Sequence, residues 1–452
     1  MIFRADELAQ ATGGVLRREG PAGPVGTDTR RLAEGMWFLA LVGDNFDGHG
    51  FLGHAAAARC AGVIARTVPD GWTRGWIQVE DTLLALQELA AWARDRFDGV
   101  VVGITGSAGK TTTRAMVALA LEPRGPVHQT EGNLNNHIGV PLTILRAPVH
   151  AAAWVLEMGM NHLGEIHRLQ EIGRPGIRLI TNVGAAHLEG VGSIEGVARA
   201  KGELFAGARP GDICCVNADD PRVAALPIPE GVRVVRFGRA AGADVRLTDA
   251  AIQPETLHTA FRVEVGDQSV LGSLPSPGLH LAMGAAAAVA VAVAARVPLA
   301  GLGRRLAQYE PVGMRLRIER TATGVRVIND AYNANPLSMA ASLRTLAGLS
   351  GRRRVALLGD MLELGASEAG AHADVLDLVS SLGLDLVGLA GPRFQAAARG
   401  RAGVVSAPDV DALASQIGDH IKAGDVVLLK GSRGMRMERA LAALGATSEA
   451  TH

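Results

Sequence analysis

The feature of this sequence that most constrains its fold is a series of short apolar runs, each of which ends in a glycine or a polar loop. Four of these runs lie in the middle of the chain: VVGIT at 101–105, AAWVLEMG at 152–159, IRLITNVG at 177–184 and DICCVNAD at 212–219. Helical patterns, such as those at 112–121 and 194–208, alternate with them. This alternation predicts a parallel sheet with helices on its faces, in which ligands bind beyond the carboxyl ends of the strands.

The same alternation resumes after Pro311. The apolar runs of this last block are VRVIND at 325–330, RRRVALLGD at 352–360, LDLVGLAG at 384–391 and DVVLLKGS at 425–432. The segment before Asp98 differs, because it contains short strand patterns, turns and one helical pattern at 82–97. We therefore predict an α/β protein of three domains, at residues 1–98, 99–311 and 312–452, of which the first is small.

The composition argues against nucleic-acid-binding and membrane proteins. The 452 residues include 45 Lys and Arg and 45 Asp and Glu, so no basic stripe is expected. The N-terminal segment lacks the apolar region of a signal peptide, and the most apolar window, 281–295, predicts a buried helix because it is short for a bilayer span. Three cysteines, Cys60, Cys214 and Cys215, form no disulfide framework and indicate a reducing cytoplasm.

The segment GITGSAGKTTT at 103–113 predicts a phosphate-binding loop between a strand and a helix. Its glycines are three residues apart, at Gly103, Gly106 and Gly109. The common pattern, Gly-x-x-x-x-Gly-Lys-Ser/Thr, would need its first glycine where Ile104 stands. Glycines let backbone N–H groups approach phosphate oxygens, and a helix N-terminus adds positive potential. Lys110 can then bridge the terminal phosphates, and the Thr111 hydroxyl can ligate Mg²⁺.

Further polar residues of the middle segment follow predicted strands. Glu157 ends an apolar run, where a carboxylate is poorly solvated unless it is paired or binds a metal. His187 follows the next run, and Lys201 lies on the helix after it. Each of these residues alone is weak evidence for a functional site, because a single histidine, for example, is more often an ordinary core or surface residue. Together, Thr111, Glu157 and His187 suit Mg²⁺ held mainly by oxygen ligands and substrate phosphates.

Two asparagine-rich loops predict either turns or sites for a polar substrate. The segment 131–145, EGNLNNHIGVPLTIL, has three asparagines in four residues, which are unfavourable inside a strand or helix. In the last block, Pro336 follows a strand-end group of polar residues, Asp330, Tyr332, Asn333 and Asn335. Turn chemistry explains the Asn-Pro pair. It does not explain why charged residues cluster at strand ends, where Lys430 and Arg433 also lie.

These motifs together resemble the Mur ligases and the related folylpolyglutamate synthases. The three-spaced glycines of GITGSAGKTTT match the ATP loop of that superfamily. Five more segments are similar to the branch of the Mur ligase family that adds D-alanyl-D-alanine to UDP-N-acetylmuramoyl-tripeptide: TDTRRLAEGMWFLALVGDNFDGHGF, GNLNNHIGVPLTIL, LEMGMNHLGEI, ITNVGAAHLEGVGSIEGVARAKGELF and DAYNANPLSM. The matches extend from residue 27 to about residue 438.

The resemblance implies an N-terminal uridine-nucleotide domain, a central ATPase and a Rossmann-like C-terminal domain. It implies that the tripeptide carboxylate attacks the γ-phosphate of ATP, and that D-alanyl-D-alanine attacks the resulting acyl phosphate. The alternative is another amide ligase of the superfamily, in folate or specialised metabolism, although folate enzymes lack the domain that carries GDNFDGHGF. A non-catalytic nucleotide switch would leave Lys201 and the metal sites without a purpose. We expect a monomer that neither binds nucleic acid nor inserts into a membrane.

The resemblance also implies roles for individual residues. ATP would contact Gly106, Ser107, Ala108, Gly109, Lys110, Thr111 and Thr112, with Asp330 at the ribose and Arg315 at the γ-phosphate. Two Mg²⁺ ions would be held by Thr111, Glu157, His187 and Lys201, the last as a carbamate. The catalytic group would be Lys110, Glu157, His187, Lys201 and Arg315. The two other substrates would contact Thr29, Arg30, Asn45, Asn135, Asn136, Asn333 and Asn335, of which Asn333 and Asn335 would lie near the dipeptide.

One segment departs from the family pattern. In SPGLHLAMGAAAA, at 276–288, Leu281 and Gly284 stand where relatives usually carry asparagines beside the adenine. Neither residue offers a side-chain hydrogen bond, so an unpaired adenine edge would weaken ATP binding or the choice of base. The alternative is that backbone groups or a shifted side chain read the adenine.

Overall fold

Three large β-sheets follow one another along the chain in the computed structural model, which describes residues 1–43, 46–349 and 353–444. They have five, nine and six strands, and helices pack against each of them. The predicted α/β class is therefore confirmed. The three sheets occupy residues 15–78, 100–274 and 317–430, and we propose that the domain boundaries lie between them, near residues 98 and 312.

The N-terminal part is a small sheet with three helices. Its elements are α1 (Ala5–Thr12), β1 (Val15–Arg18), β2 (Val25–Gly26), β3 (Trp37–Leu39), β4 (Val42–Gly43), β5 (Phe46–Asp47), α2 (Leu52–Ala57), β6 (Gly62–Ala65), β7 (Gly75–Gln78) and α3 (Thr82–Arg94). The sheet order is β1-β7-β6-β3-β2, with only β1 antiparallel. The predicted helix is α3, which Asp81 caps by accepting from two backbone N–H groups. The prediction of one helix was wrong, because α1 and α2 are too short to show a clear helical period.

The central part is a nine-stranded sheet. Its elements are β8 (Val100–Thr105), α4 (Lys110–Leu121), β9 (Val127–Gln129), α5 (Gly139–Arg146), β10 (Ala153–Glu157), α6 (Glu165–Gly173), β11 (Ile177–Ile180), α7 (Leu188–Val191), α8 (Ile194–Ala206), β12 (Ile213–Asn217), α9 (Pro221–Ala224), β13 (Arg233–Gly238), β14 (Val245–Ile252), β15 (Thr259–Val265), β16 (Gln268–Leu274), α10 (Leu279–Ala294) and α11 (Leu302–Leu306). The four predicted strands are confirmed as β8, β10, β11 and β12. The buried helix predicted at 281–295 is α10.

The order of this sheet is β16-β15-β14-β13-β12-β11-β8-β10-β9. The pairs from β9 to β14 are all parallel, as predicted. At the other edge, β15 runs antiparallel to both of its neighbours, β14 and β16, which was not predicted from the sequence. Buried and exposed residues alternate along much of β14 and β15, which is typical of antiparallel strands with one solvated face. This edge extends the sheet away from the central strands β8, β10 and β11.

The C-terminal part is a six-stranded sheet with helices. Its elements are β17 (Arg317–Arg320), β18 (Arg326–Asp330), α12 (Pro336–Ala347), β19 (Arg354–Gly359), α13 (Glu368–Ser381), β20 (Leu386–Ala390), α14 (Pro392–Ala397), β21 (Val405–Ala407), α15 (Val410–Ile417), β22 (Val426–Lys430) and α16 (Ala440–Ala443). The order is β17-β18-β22-β19-β20-β21, with only β17 antiparallel. The four predicted strands are confirmed as β18, β19, β20 and β22.

The N-terminal and central parts share one hydrophobic core. Phe97 stacks on Trp154 of β10, with ring centroids 3.9 Å apart. At the end of α3, the Arg94 guanidinium donates to the carbonyls of Phe97, Gly173 and Arg174 at 2.7 to 3.0 Å. Two of these carbonyls belong to the C-terminal end of α6, where a cation is favourable. The described part of the chain contains no helix long and apolar enough to cross a membrane.

Candidate active site

A cleft of about 580 Å³ opens where the carboxyl ends of the central strands face those of β18 and β22. Parallel sheets bring the residues after their strands to one edge, so the predicted site residues converge here. Those that line the cleft are Ser107 to Thr112, Asn135, Asn136, Glu157, His187, Leu281, Gly284, Arg315, Asp330, Asn333 and Asn335. Thr29, Arg30, Gly106 and Lys201 lie outside the lining, and Asn45 lies outside the described residues.

The phosphate-loop candidate has the conformation that its glycines predict. Gly106 has φ 154°, and a Cβ there would lie 1.9 Å from the Thr181 hydroxyl. Gly109 has φ 76° and precedes α4, which begins at Lys110. The Lys110 ammonium donates to the Gly106 carbonyl at 2.8 Å, and burial in the cleft lowers the Lys110 pKa. The loop therefore presents a lysine and a helix N-terminus to the cleft.

The segment after β11 holds this loop in place. The Asn182 amide accepts from the Ala108 N–H at 2.9 Å and donates to the Ala108 carbonyl at 3.1 Å. The Ser107 hydroxyl donates to the Gly184 carbonyl at 2.9 Å. Asn182 was not among the predicted site residues. Its position in TNVG, directly after a predicted strand, is where a parallel sheet places ligand-binding residues.

Glu157 is a buried carboxylate that is both paired and oriented. It ends β10, and its Oε1 accepts from the Asn135 amide at 2.9 Å. Its Oε2 lies 3.4 Å from the guanidinium of Arg114, which is also buried. Burial lowers the pKa of Arg114, while Glu157 raises it. Arg114 was missed in the sequence, although it lies one helical turn beyond Lys110 on α4, so that both residues are on the same face of this helix.

Lys201 is a fully buried lysine on α8, only 1% exposed. The structure gives its ammonium no hydrogen-bond acceptor among the described residues. Burial, and secondly the charge of Lys110, lower the pKa of Lys201 well below the usual range. Burial thus disfavours the charged form of this amine.

His187 meets the C-terminal part across the cleft. It precedes α7 in a left-handed conformation, with φ 54°. Its Nδ1 lies 3.1 Å from Oε2 of Glu363, which the sequence reasoning missed because the contact joins two separate sheets. In the part of the chain that the structure describes, no group of three His, Cys, Asp or Glu residues could hold a metal ion. A Mg²⁺ ion in this cleft would therefore need oxygen ligands from other groups as well.

The C-terminal sheet contributes a buried ion pair and an arginine. The Lys430 ammonium donates to Oδ2 of Asp330 at 2.5 Å and to the Asn333 carbonyl at 3.2 Å. The Ser342 hydroxyl donates to the same Asp330 oxygen at 2.7 Å. These bonds fix Asp330 at the end of β18.

Arg315 lies at the junction between the central and C-terminal sheets. Its guanidinium stacks over the Tyr332 ring, 3.6 Å from the centroid, and donates to the Val312 carbonyl at 3.2 Å. A cation over an aromatic face is attracted to it. Arg315 is therefore held at the cleft without an ion-pair partner of its own in the described structure.

Besides Asn135, two more of the predicted substrate asparagines already have structural contacts. Asn136 accepts from the N–H groups of Ile138 and Gly139 at the start of α5. Asn335 caps α12 by accepting from the Ser338 N–H at 2.9 Å, and its amide donates to the Ser107 carbonyl at 3.1 Å. Asn335 thus joins the C-terminal part to the phosphate loop, and its contact with a dipeptide stays a prediction.

Thr29 and Arg30 lie on the N-terminal part, in a turn capped by Asp28. The Arg30 guanidinium pairs with Asp28 at 2.8 Å and is largely exposed. This hydrogen bond lowers the pKa of Asp28 to about 2. The structure therefore does not bring these two residues into the central cleft.

Leu281 and Gly284 line the cleft at the start of α10, together with Asn217. The Asn217 amide donates to the Thr181 carbonyl at 2.7 Å, and its oxygen accepts from the Asp219 N–H. A Cβ at Gly284 would lie 3.3 Å from the Met116 sulfur. Leu281 and Gly284 thus offer no side-chain hydrogen bond to a ligand at this end of the cleft.

Comparison with known proteins shows matches along most of the chain. A family model described as the Mur ligase middle domain matches residues 104–292, and one described as the Mur ligase, glutamate ligase domain matches residues 314–433. UDP-N-acetylmuramoyl-tripeptide--D-alanyl-D-alanine ligase of Bacillus subtilis is 35% identical over 423 residues, which are 92% of this chain and 91% of the relative. The Escherichia coli enzyme of that name is 37% identical over 424 residues, 93% of each chain.

Solved structures agree with these matches. MurF from Acinetobacter baumannii has a TM-score of 0.91 at 32% identity, covering 98% of this chain and 99% of its own. MurF ligase from Thermotoga maritima in complex with ADP has a TM-score of 0.84 at 28% identity, covering 94% and 97%. Mycobacterium tuberculosis folylpolyglutamate synthase has a TM-score of 0.64 at 16% identity, which shows a shared fold alone. The predicted three-domain architecture is that of the MurF structures.

Proposed function

Because this chain belongs to the Mur ligase family, we infer that it joins D-alanyl-D-alanine to UDP-N-acetylmuramoyl-tripeptide at the expense of ATP. The products are ADP, phosphate and the UDP-MurNAc-pentapeptide of peptidoglycan synthesis. The Bacillus subtilis and Escherichia coli relatives, which have this activity in their names, match more than nine-tenths of the chain. The folylpolyglutamate synthases are distant, at 16% identity, so the folate alternative has little support.

The observation that carries this proposal is the convergence of two sheets on one cleft. The central sheet supplies the phosphate loop and Glu157, and the C-terminal sheet supplies the Asp330–Lys430 pair. A ligase that forms an acyl phosphate must hold a nucleotide and a carboxylate together and then admit an amine. A cleft between two sheets allows the nucleotide to enter and the C-terminal part to exclude water afterwards.

Several residues of this chain are suited to bind ATP. The backbone N–H groups from Ser107 to Thr111, at the start of α4, would contact phosphate oxygens, and Lys110 would leave the Gly106 carbonyl for a phosphate. The second oxygen of Asp330, Oδ1, can accept from the ribose hydroxyls while Lys430 and Ser342 hold Oδ2. Arg315 would stabilise negative charge on the transferred phosphoryl group.

The donor atoms at the loop fit a magnesium ion. Thr111 and Glu157 both line the cleft and offer a hydroxyl and a carboxylate oxygen, which are ligands that Mg²⁺ prefers. Asn135 and Arg114 hold the Glu157 carboxylate in one orientation. We propose that Thr111 and Glu157 hold one ion and that His187 and Lys201 hold a second. Such ions would neutralise charge on the phosphoryl and acyl oxygens.

Lys201 fits this role only as a carbamate. An ammonium would be a poor neighbour for a cation, and the described structure offers this one no acceptor. The neutral amine that burial and Lys110 favour is the form to which CO₂ adds, with loss of a proton. The addition converts Lys201 into an anionic oxygen ligand. The surroundings of Lys201 therefore support the proposed carbamate.

The reaction itself has two steps. An oxygen of the tripeptide carboxylate attacks the γ-phosphorus, and ADP leaves, while Lys110 and Arg315 stabilise the charge that develops on the phosphates. The amine of D-alanyl-D-alanine then attacks the acyl carbon, and the tetrahedral intermediate loses phosphate and forms the amide. We propose that Thr29, Arg30 and Asn45 contact the UDP-tripeptide, and that Asn333 lies near the dipeptide.

We further propose that the protein acts in the cytoplasm as a monomer. Its substrates are ATP and a nucleotide-linked peptide, and the structure places its three cysteines in the core as free thiols. Buried thiols without a disulfide partner agree with a reducing compartment.

The test of this function is phosphate release with a panel of substrates. Purified protein is supplied with ATP, Mg²⁺, UDP-MurNAc-peptides of different length and different dipeptides. We expect turnover only with a tripeptide acceptor and D-alanyl-D-alanine, and the panel also shows whether lysine or diaminopimelate is the preferred third residue. Turnover with folate and glutamate, but not with these substrates, would overturn the proposal.

A further inference from the structure

Glu363 lies in a loop of the C-terminal part that packs directly against the segment carrying His187. The loop follows β19, and its backbone is held by two hydrogen bonds: the Met361 N–H donates to the His372 ring at 3.0 Å, and the Leu362 N–H donates to the Ser432 hydroxyl at 2.9 Å. Its end meets α7, since a Cβ at Gly365 would lie 3.5 Å from the Glu189 backbone. The loop backbone that carries Glu363 is therefore held by contacts other than the one between Glu363 and His187.

The two residues of this contact both have an unusual backbone. His187 has φ 54° and Glu363 has φ 64°, and neither is a glycine or an asparagine. Left-handed conformations of such residues persist where the surroundings enforce them, and they cluster at functional sites. Both residues keep this backbone although the pair is partly open to solvent, with 24% of the His187 side chain and 62% of the Glu363 side chain exposed. The geometry therefore indicates that the chain is shaped to bring these two side chains together.

Because Glu363 approaches one ring nitrogen of His187, it influences whether the other ring nitrogen can accept a hydrogen bond or bind a cation. Glu363 Oε2 lies 3.1 Å from Nδ1 of His187. A carboxylate at this nitrogen favours the tautomer with its proton on Nδ1 and fixes the plane of the ring. The lone pair of Nε2 is then available to a cation or a donor in the cleft, which His187 lines.

We propose that Glu363 is a positioning residue that orients His187 across the boundary between the central and C-terminal parts. Because the carboxylate belongs to the C-terminal part, His187 is held in its working tautomer only when that part is seated on the central sheet. Two further contacts hold it there: the Asn335 amide donates to the Ser107 carbonyl at 3.1 Å, and Leu337 packs against Gly184. Glu363 thus links the seating of the C-terminal part to the assembly of the site. This inference rests on the proposed function of the cleft.

The test compares Glu363→Ala with Glu363→Gln, which keeps an oxygen that can accept from Nδ1. Asp374→Ala is the matched control, because it removes an exposed carboxylate from helix α13 of the same C-terminal part. We expect Glu363→Ala to lower kcat about 10- to 100-fold at an unchanged melting temperature. Glu363→Gln should recover most of this loss, and Asp374→Ala should match the wild type. Equal rates for Glu363→Ala and the wild type would overturn the proposal.

Two readouts separate positioning from a general structural effect. In a His187→Ala background, Glu363→Ala should cause no further loss of kcat, whereas an additional loss would show that Glu363 does not act through His187. In ¹⁵N spectra at alkaline pH, His187 should carry its proton on Nδ1 in the wild type and shift towards the Nε2 form in Glu363→Ala. An unchanged tautomer would contradict the proposal. The spectra need no turnover, so a failure of the proposed ligase activity is distinguishable from a failure of this inference.

Discussion

Replacing Lys201 should lower kcat by about two to three orders of magnitude without unfolding the protein. The side chain is fully buried on α8 beside the phosphate loop and has no hydrogen-bond acceptor among the described residues. In the proposed mechanism, it works as a carbamate. Two variants separate its chemistry from its packing. Lys201→Ala removes both the amine and most of the side-chain volume, whereas Lys201→Met removes the amine and keeps a chain of similar size.

The two variants should differ in their free energy of unfolding but should lose kcat to a similar extent. Lys201→Ala deletes three buried methylenes, which at about 0.8 kcal/mol each would lower the free energy of unfolding by about 2.4 kcal/mol. Lys201→Met should cost less than about 1.5 kcal/mol, because volume is nearly conserved and no polar group needs a partner. Both should lose about 10²–10³-fold in kcat, the typical effect of removing one preorganised electrostatic group.

The assay is phosphate release with saturating substrates, run beside urea unfolding of each variant. High concentrations of a short carboxylic acid should partly restore Lys201→Ala, because it leaves space for a carboxylate. They should not restore Lys201→Met, which fills that space. Full turnover in Lys201→Met would refute the carbamate, because that variant has no amine to which CO₂ can add.

Three further predictions concern other parts of the molecule. Arg30→Ala should let the pKa of Asp28 rise from about 2 towards 3.8, measured by NMR titration. The stabilisation from this pair should be present above pH 3.8 and disappear as the pH falls through about 2, and an unmoved pKa would contradict the pairing. Because the wild-type chain has Leu281 and Gly284 where relatives carry asparagines, it should discriminate poorly between ATP and GTP. The substitution Leu281→Asn should improve this discrimination. A wild-type preference for ATP in kcat/KM above about a thousandfold would show that other groups read the base. In this structure Asn335 is seated on the phosphate loop, and bound substrates should hold the protein in this compact arrangement in solution scattering. Identical free and liganded profiles would count against closure on substrate binding.

The sequence predicted much of the central and C-terminal folds, because buried parallel strands appear as apolar runs that end in glycine or polar residues. The same rule predicted that Lys110 and Glu157 would approach one another, since the parallel strands of one sheet end at one edge. The position of Asp330, which belongs to another sheet, was implied only by the family resemblance. The antiparallel pair β15 and β16 was not predicted, because a hairpin at the edge of a sheet interrupts the strand-helix alternation on which the prediction rests. The helix α1 was missed because eight residues contain little more than two turns.

The contacts between separate parts of the chain could not be predicted from spacing. The pairing of Glu157 with Arg114, and that of His187 with Glu363, depend on how elements pack in three dimensions. The burial of Lys201 was equally hidden, because a lysine on an amphipathic helix is usually expected on the solvated face. Asn335 looked like a turn residue or a substrate ligand, and in the structure it is a helix cap that also contacts the phosphate loop.

The central claim, ligation through an acyl phosphate, is tested most directly with ¹⁸O in the terminal carboxylate of UDP-MurNAc-tripeptide. The enzyme is supplied with the labelled tripeptide, ATP and D-alanyl-D-alanine, and the phosphate and peptide products are analysed by mass spectrometry. If the carboxylate attacks the γ-phosphorus, each turnover transfers one labelled oxygen to phosphate, and the pentapeptide keeps the other. Pentapeptide formation with unlabelled phosphate, or labelled tripeptide that is never extended, would contradict this mechanism.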